Sequence, residues 1–124
     1  MFTFRWLKPA IFTLILFSCS KPLPSLDEID LQAWKDDKLA CAGKRDSMFS
    51  TLENQKEKLL GLSEQEIISL LGKPDENELY KRNQKFYYYF IQPSKACATS
   101  QSENPKKLVV RFNATGLAKE VGME

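Results

Sequence analysis

Hydrophobic positions along the chain change their period twice. An apolar run comes first, with Ile11, Phe12, Leu14, Ile15 and Leu16 between Pro9 and Phe17. A helical period follows. From Asp46 to Leu60, one side carries Phe49, Leu52, Leu59 and Leu60 and the other Glu53, Asn54, Glu57 and Lys58, which predicts a surface helix of about four turns. Gly61 is placed to end it. Ser63 and Glu66 then have capping-box spacing ahead of Ile67, Leu70 and Leu71, and Gly72 with Pro74 predicts the stop. Before both, Leu26 to Lys38 holds a shorter helical candidate, with Ser25 and Glu28 as its box and Leu26, Ile29 and Ala33 on one face.

After Pro74 the period becomes two. Leu79 and Tyr80 suggest a short strand, and Lys85 to Ile91 reads as a strand by its aromatic content, with Phe86, Tyr88 and Phe90 on one face and Tyr87, Tyr89 and Ile91 on the other. Leu108, Val110 and Phe112 alternate with Val109 and Arg111 in a further strand. Asn113-Ala114-Thr115-Gly116 is a tight hairpin signal, and Leu117 to Val121 returns from it. The polar segment Gln92 to Asn104 is long enough to be the expected mobile loop. Helices first and an antiparallel meander afterwards predict an α+β fold: two or three N-terminal helices packed on one face of a three- to four-stranded antiparallel sheet.

Composition narrows the chemistry. The 124 residues contain no histidine, which excludes Ser-His-Asp and Cys-His catalysis and most catalytic zinc sites. Asp36-Asp37 and Asp75-Glu76 with Glu78 are the remaining acid-base candidates. They sit beside turns, without the apolar cleft that glycoside hydrolysis needs and without the alternating oxygen ligands of an EF-hand. The expectation is no enzyme, no metal and no cofactor.

The N-terminus carries an address. Arg5 and Lys8 precede the apolar run, which at about nine residues is far short of the roughly twenty a spanning helix requires. Leu16-Phe17-Ser18-Cys19 then resembles the lipobox of bacterial lipoproteins, in which the cysteine thiol receives diacylglycerol and cleavage leaves it as the new N-terminus, a palmitate-type anchor. The predicted organisation is a signal peptide over 1–18, lipidated Cys19 with a short tether over 19–25, and a single domain over 26–124.

Without residues 1–18 the formal charge falls from +2 to zero, because Arg5 and Lys8 are the only charges there. A neutral chain with only short basic pairs, such as Lys44-Arg45, lacks the clustered field that nucleic-acid binding needs, and those pairs read as solvated surface. With Cys19 lipidated, Cys41 and Cys97 remain in an oxidising compartment, most simply as one disulfide. Closing a loop of 56 residues contributes on the order of 4 kcal/mol in the chain-entropy description.

Several elements together resemble the SmpA/OmlA, or BamE-like, family of small outer-membrane lipoproteins. The likeness is carried by Gly61-Leu62-Ser63-Glu64 leading into Ile67 and Ile68, by Leu70-Leu71-Gly72-Lys73-Pro74, by the aromatic strand through Tyr89, and by Val109 to Gly116 with Phe112, Asn113 and Gly116 in the hairpin. The resemblance implies a periplasm-facing outer-membrane lipoprotein that assists a β-barrel assembly complex. On the residues themselves, the expected function is a lipid-anchored envelope module that binds another protein, with Tyr87 and Tyr89 as the contact surface if the opposite set enters the core. The rival reading is an anchored inhibitor of a secreted hydrolase, or a ligand-binding lipoprotein, acting through the free sheet face or the loop from Gln92 to Asn104.

Overall fold

The computed structural model describes residues 22–124; the proposed signal peptide and Cys19 lie outside the described residues. The fold is α+β, with three helices followed by a four-stranded antiparallel sheet. The helices are α1 (Leu31–Asp36), α2 (Lys44–Glu53) and α3 (Glu64–Leu71). The strands are β1 (Glu76–Tyr80), β2 (Gln84–Phe90), β3 (Lys107–Phe112) and β4 (Ala118–Met123), paired in chain order as a meander. Short 3-10 turns occupy Lys38–Ala40, Lys56–Leu59 and Lys81–Asn83.

Two helical boundaries differ from the sequence reading. The first helix is capped by Asp30, whose Oδ1 accepts from Ala33 N at 3.1 Å, so Ser25 and Glu28 form no capping box. Glu28 instead takes a positive φ of 58° in the preceding turn. The expected single helix from Asp46 to Leu60 is broken: α2 ends at Glu53, and Gln55 leaves helical geometry with φ −115°. The Gln55 side-chain amide grips the backbone of Asp27, accepting from its N at 2.7 Å and donating to its O at 2.8 Å. That grip ties the extended N-terminal segment to the break.

The second half follows the sequence pattern more closely. Ser63 Oγ accepts from Glu66 N at 3.2 Å while Glu66 Oε1 accepts from Ser63 N at 3.4 Å, satisfying two amides at the start of α3. Gly72 ends α3 with φ 81°; a Cβ there would meet Lys35 Cγ at 3.0 Å, so both backbone strain and crowding favour glycine. At the last hairpin Asn113 Oδ1 accepts from Thr115 N and Leu117 N, which holds the turn around Gly116 at φ 80°. Gly61 N donates to Ala118 O and Ala118 N to Leu62 O, each at 2.8 Å, so the segment before α3 is stitched to the start of β4.

One core joins the two halves. Trp34, Leu52, Leu59, Ile67, Leu70 and Leu71 from the helical half meet Tyr87, Tyr89, Ile91, Leu108, Val110, Phe112 and Ala118 from the strands. Replacing Ser63 by Ala is expected to cost about 1 kcal/mol, the usual loss for an N-cap side chain. Urea unfolding at unchanged m-value measures it, and an unchanged midpoint would show that the cap contributes nothing.

Candidate functional site

The register decides which aromatic set is buried. Tyr87 pairs with Val110 and Tyr89 with Leu108, whereas Phe86 pairs with Arg111 and Phe90 with Lys107. The β3 partners of the first set are all uncharged whereas two of the second set's are charged, and the first set's face enters the core. Tyr87 is 8% exposed and packs edge-on to Phe112 at 4.7 Å, its hydroxyl donating to Glu64 Oε1 at 2.9 Å. Tyr89 is fully buried near Trp34, with its hydroxyl donating to Gly72 O at 2.8 Å. A contact surface made of Tyr87 and Tyr89 is therefore overturned. Each hydroxyl finds a partner at the rim of the core, and this lets tyrosine sit where the alternation alone left the choice open.

The face away from that core is the candidate site. Cross-strand pairing brings Glu76 beside Tyr88, Glu78 beside Phe86, Val109 beside Tyr88 and Gly122, and Arg111 beside Phe86 and Glu120. Phe86 and Tyr88 are stacked at 6.3 Å, and Tyr80 meets Phe86 edge-on at 5.9 Å. The charged neighbours close over the rings. Lys107 Nζ lies 5.2 Å from the Tyr88 ring and 5.1 Å from the Phe90 ring while pairing with Glu76 at 3.4 Å. Tyr88 donates its hydroxyl to Glu78 at 3.1 Å, and Arg111 pairs with Glu120 at 2.8 Å. The result is an aromatic stripe framed by ion pairs, with half-buried Phe86 and Val109 at its centre.

At the Phe90 end the stripe runs into a cleft of about 520 Å³, lined among others by Leu39, Glu76, Lys95, Pro105, Lys107 and Glu124. One wall comes from the loop expected to be mobile, and three ties fix it. Cys41 and Cys97 are joined with Cα atoms 5.3 Å apart, Ser94 N donates to Leu39 O at 3.0 Å, and Thr99 Oγ1 donates to Cys41 O at 2.8 Å. Among the described residues no group of three His, Cys, Asp or Glu is placed to hold a metal ion.

Behind the cleft lies an ion pair that the sequence reading missed. Arg45, read there as solvated surface, is 1% exposed and bonds Asp75 at 2.6 Å. Its Nε donates to Trp34 O at 2.8 Å, and its guanidinium lies 5.2 Å from the Trp34 ring centroid. The Asp75 carboxylate, expected at an open turn, is enclosed as well, its side chain 4% exposed. It accepts from Leu39 N at 3.1 Å and from Phe90 N at 2.9 Å besides Arg45, so its oxygens are committed to structure. Asp37 is buried too, accepting from Ala42 N, Lys44 N and Arg45 N at the start of α2. A sequence signal for these roles was weak, since spacing of 30 residues between Arg45 and Asp75 carries no local pattern.

Comparison with known protein families, curated proteins and solved structures gave no match for this chain.

Removing one partner of the buried pair has a large expected effect. Arg45→Ala leaves a carboxylate enclosed without its cation and should cost roughly 3–5 kcal/mol in chemical unfolding. Arg45→Lys should recover little of this, because an ammonium cannot serve Trp34 O and Asp75 with the same planar fork. A loss below about 1 kcal/mol for Arg45→Ala would mean that the pair is not enclosed.

Burial, with Glu64 beside it, pushes the Tyr87 hydroxyl up to about 12; burial, with Glu78 beside it, does the same to Tyr88. Tyr89 is raised by burial as well. The folded chain thus holds these protons more tightly than the unfolded one. The associated stabilisation is complete below pH 10, the ordinary value, and is lost as pH rises toward about 12. In an alkaline titration, tyrosinate absorbance from Tyr87 and Tyr88 is expected to appear above pH 10, with loss of far-ultraviolet dichroism. Ionisation of both at their ordinary value in a folded chain would contradict the enclosed arrangement.

Proposed function

We propose that this chain is a lipid-anchored, non-enzymatic protein of the bacterial cell envelope that binds another envelope protein through the free face of its sheet. In this reading the helices pack on one face of the sheet and leave the other, with half-buried Phe86 and Val109 over buried Tyr88, for the partner. The observation that carries it is the aromatic stripe framed by Glu76, Lys107, Arg111 and Glu120, open at half-buried Phe86 and Val109. Aromatic centres within polar rims are the usual anatomy of a protein contact. The anchor reading rests on Leu16-Phe17-Ser18-Cys19, which would hold the domain at the outer membrane, facing the periplasm.

The resemblance to SmpA/OmlA, BamE-like lipoproteins makes a subunit of the β-barrel assembly complex the leading partner and outer-membrane assembly or integrity the leading role. The cleft beside Phe90 supports the second reading, an anchored inhibitor or ligand-binding lipoprotein, since its volume suits a small ligand or an inserted side chain.

A photo-crosslinking amino acid at Val109, with the same residue at exposed Gln65 as control, tests the contact in intact cells. Capture of a barrel-assembly subunit from Val109 and not from Gln65, weakened roughly fivefold or more by Phe86→Ser, is the expected result. Capture of a secreted hydrolase would favour the second reading. Equal labelling from both positions would remove the sheet face as the contact. Separately, Cys19→Ser is expected to release the chain from membranes, and unchanged sedimentation with membranes would refute the anchor.

A further inference from the structure

The two edges of the sheet are treated very differently by the chain. Along β4, the 3-10 turn Lys56–Leu59 lies against the strand, Gly61 and Leu62 exchange two hydrogen bonds with Ala118, and Ser63 bridges to Leu117. A register irregularity between Arg111 and Phe112 further disturbs that side. The β1 edge has none of this. All five of its residues are exposed, its register with β2 is regular throughout, and among the described residues it pairs with no other strand. It contains no proline, lysine or bulge; its only charges are Glu76 and Glu78, which repel an acidic or identical strand and admit a basic one. It also carries Leu79 at 71% and Tyr80 at 57% exposure, the two most exposed large hydrophobic side chains among the described residues.

We propose that β1 is a docking edge for an extended segment of another protein, which adds to the sheet as a fifth strand. Alternate residues of an edge strand present unpaired N–H and C=O groups outward, and these supply affinity for any extended backbone. Side chains then set which one. Glu76, Glu78 and Tyr80 share the face of the aromatic stripe, as their pairing with Tyr88, Phe86 and Gln84 requires, while Asn77 and Leu79 point to the opposite face. A segment that fits therefore carries basic residues across from Glu76 and Glu78 and apolar residues across from Leu79 and Tyr80. Read antiparallel, this is apolar-apolar-basic-polar-basic.

A second copy of this chain is the poorer occupant. Antiparallel pairing of β1 with itself about Glu78 sets Glu78 against Glu78, and parallel pairing sets both glutamates against their counterparts. Like charges directly opposite each other destabilise a strand pair. The edge adjoins the stripe and shares Glu76 with its frame, so the two surfaces are told apart by position: backbone shifts within residues 76–80 report the edge, and crosslinks at Val109 report the sheet face.

The probe is a labelled peptide Ile-Val-Lys-Thr-Lys with blocked ends, titrated into the full chain in detergent micelles, with amide exchange and backbone NMR shifts as readouts. The expected result is shift changes and slowed amide exchange within residues 76–80. Glu76→Gln with Glu78→Gln should weaken binding about fivefold, as two exposed cross-strand pairs would. Methylating the peptide amides of one alternate set should abolish binding, whereas methylating the other set should leave it intact, which reads backbone pairing without altering the protein. Shifts centred on the Phe90 cleft or the Val109 face, equal tolerance of both methylated peptides, or equal binding of Ile-Val-Glu-Thr-Glu would overturn the proposal. So would a β1-mediated dimer by sedimentation at working concentration.

Discussion

The Arg45–Asp75 pair is the constraint on which the arrangement of the other parts depends. Its two side chains touch the end of α1 through Trp34 O, the 3-10 turn through Leu39 N, the approach to β1 through Asp75 itself, and the end of β2 through Phe90 N. No hydrophobic contact could do the same, since apolar packing has no direction and these segments meet at angles fixed by individual backbone groups. Enclosing two charges is expensive unless every lone pair and proton is used. Here the cost is met by the planar guanidinium and by the backbone amides that Asp75 accepts. Asp37, capping α2 from seven residues before Lys44, positions Arg45 to reach the pair.

The same junction explains why a polar loop can form a firm wall. Leu39 offers its N to Asp75 and its O to Ser94, so the turn that receives the ion pair also receives the loop. The Cys41–Cys97 bridge then closes a connection whose two sides are already brought together by backbone hydrogen bonds. Leu39 and Ala40 take positive φ values of 60° and 57° to make this possible, conformations that cost side-chain-bearing residues energy and persist where surrounding contacts determine them.

Local patterns were legible in the sequence and long-range polar partners were not. The Ser63–Glu66 box, the Gly72 stop, the Asn113–Gly116 hairpin and the strand alternation each depend on residues a few positions apart, and each is present in the structure. The face choice for Tyr87 and Tyr89 stayed open in the sequence because β2 is aromatic on both sides. The charges of β3, with Arg111 on one face and none among Leu108, Val110 and Phe112, held the answer once the register was known. Arg45 and Asp75 gave no such clue, because a charged residue beside a turn looks the same whether water or a distant carboxylate awaits it. The break at Gln55 was hidden for a related reason: its partner, Asp27, is 28 residues away.

The unequal edges of the sheet also bear on how large an assembly the domain can build. A sheet open on both sides can pass strands from one molecule to the next without end, as fibres do. Here Gly61 to Ser63 cover the start of the β4 side at Leu117 and Ala118, whereas the β1 side carries no such cover along its length. An incoming strand is therefore offered five unobstructed residues at β1 and a partly covered run at β4. The glutamates of β1 would meet their own kind in a self-paired edge, so a receptive edge of this composition disfavours a polymer of identical chains.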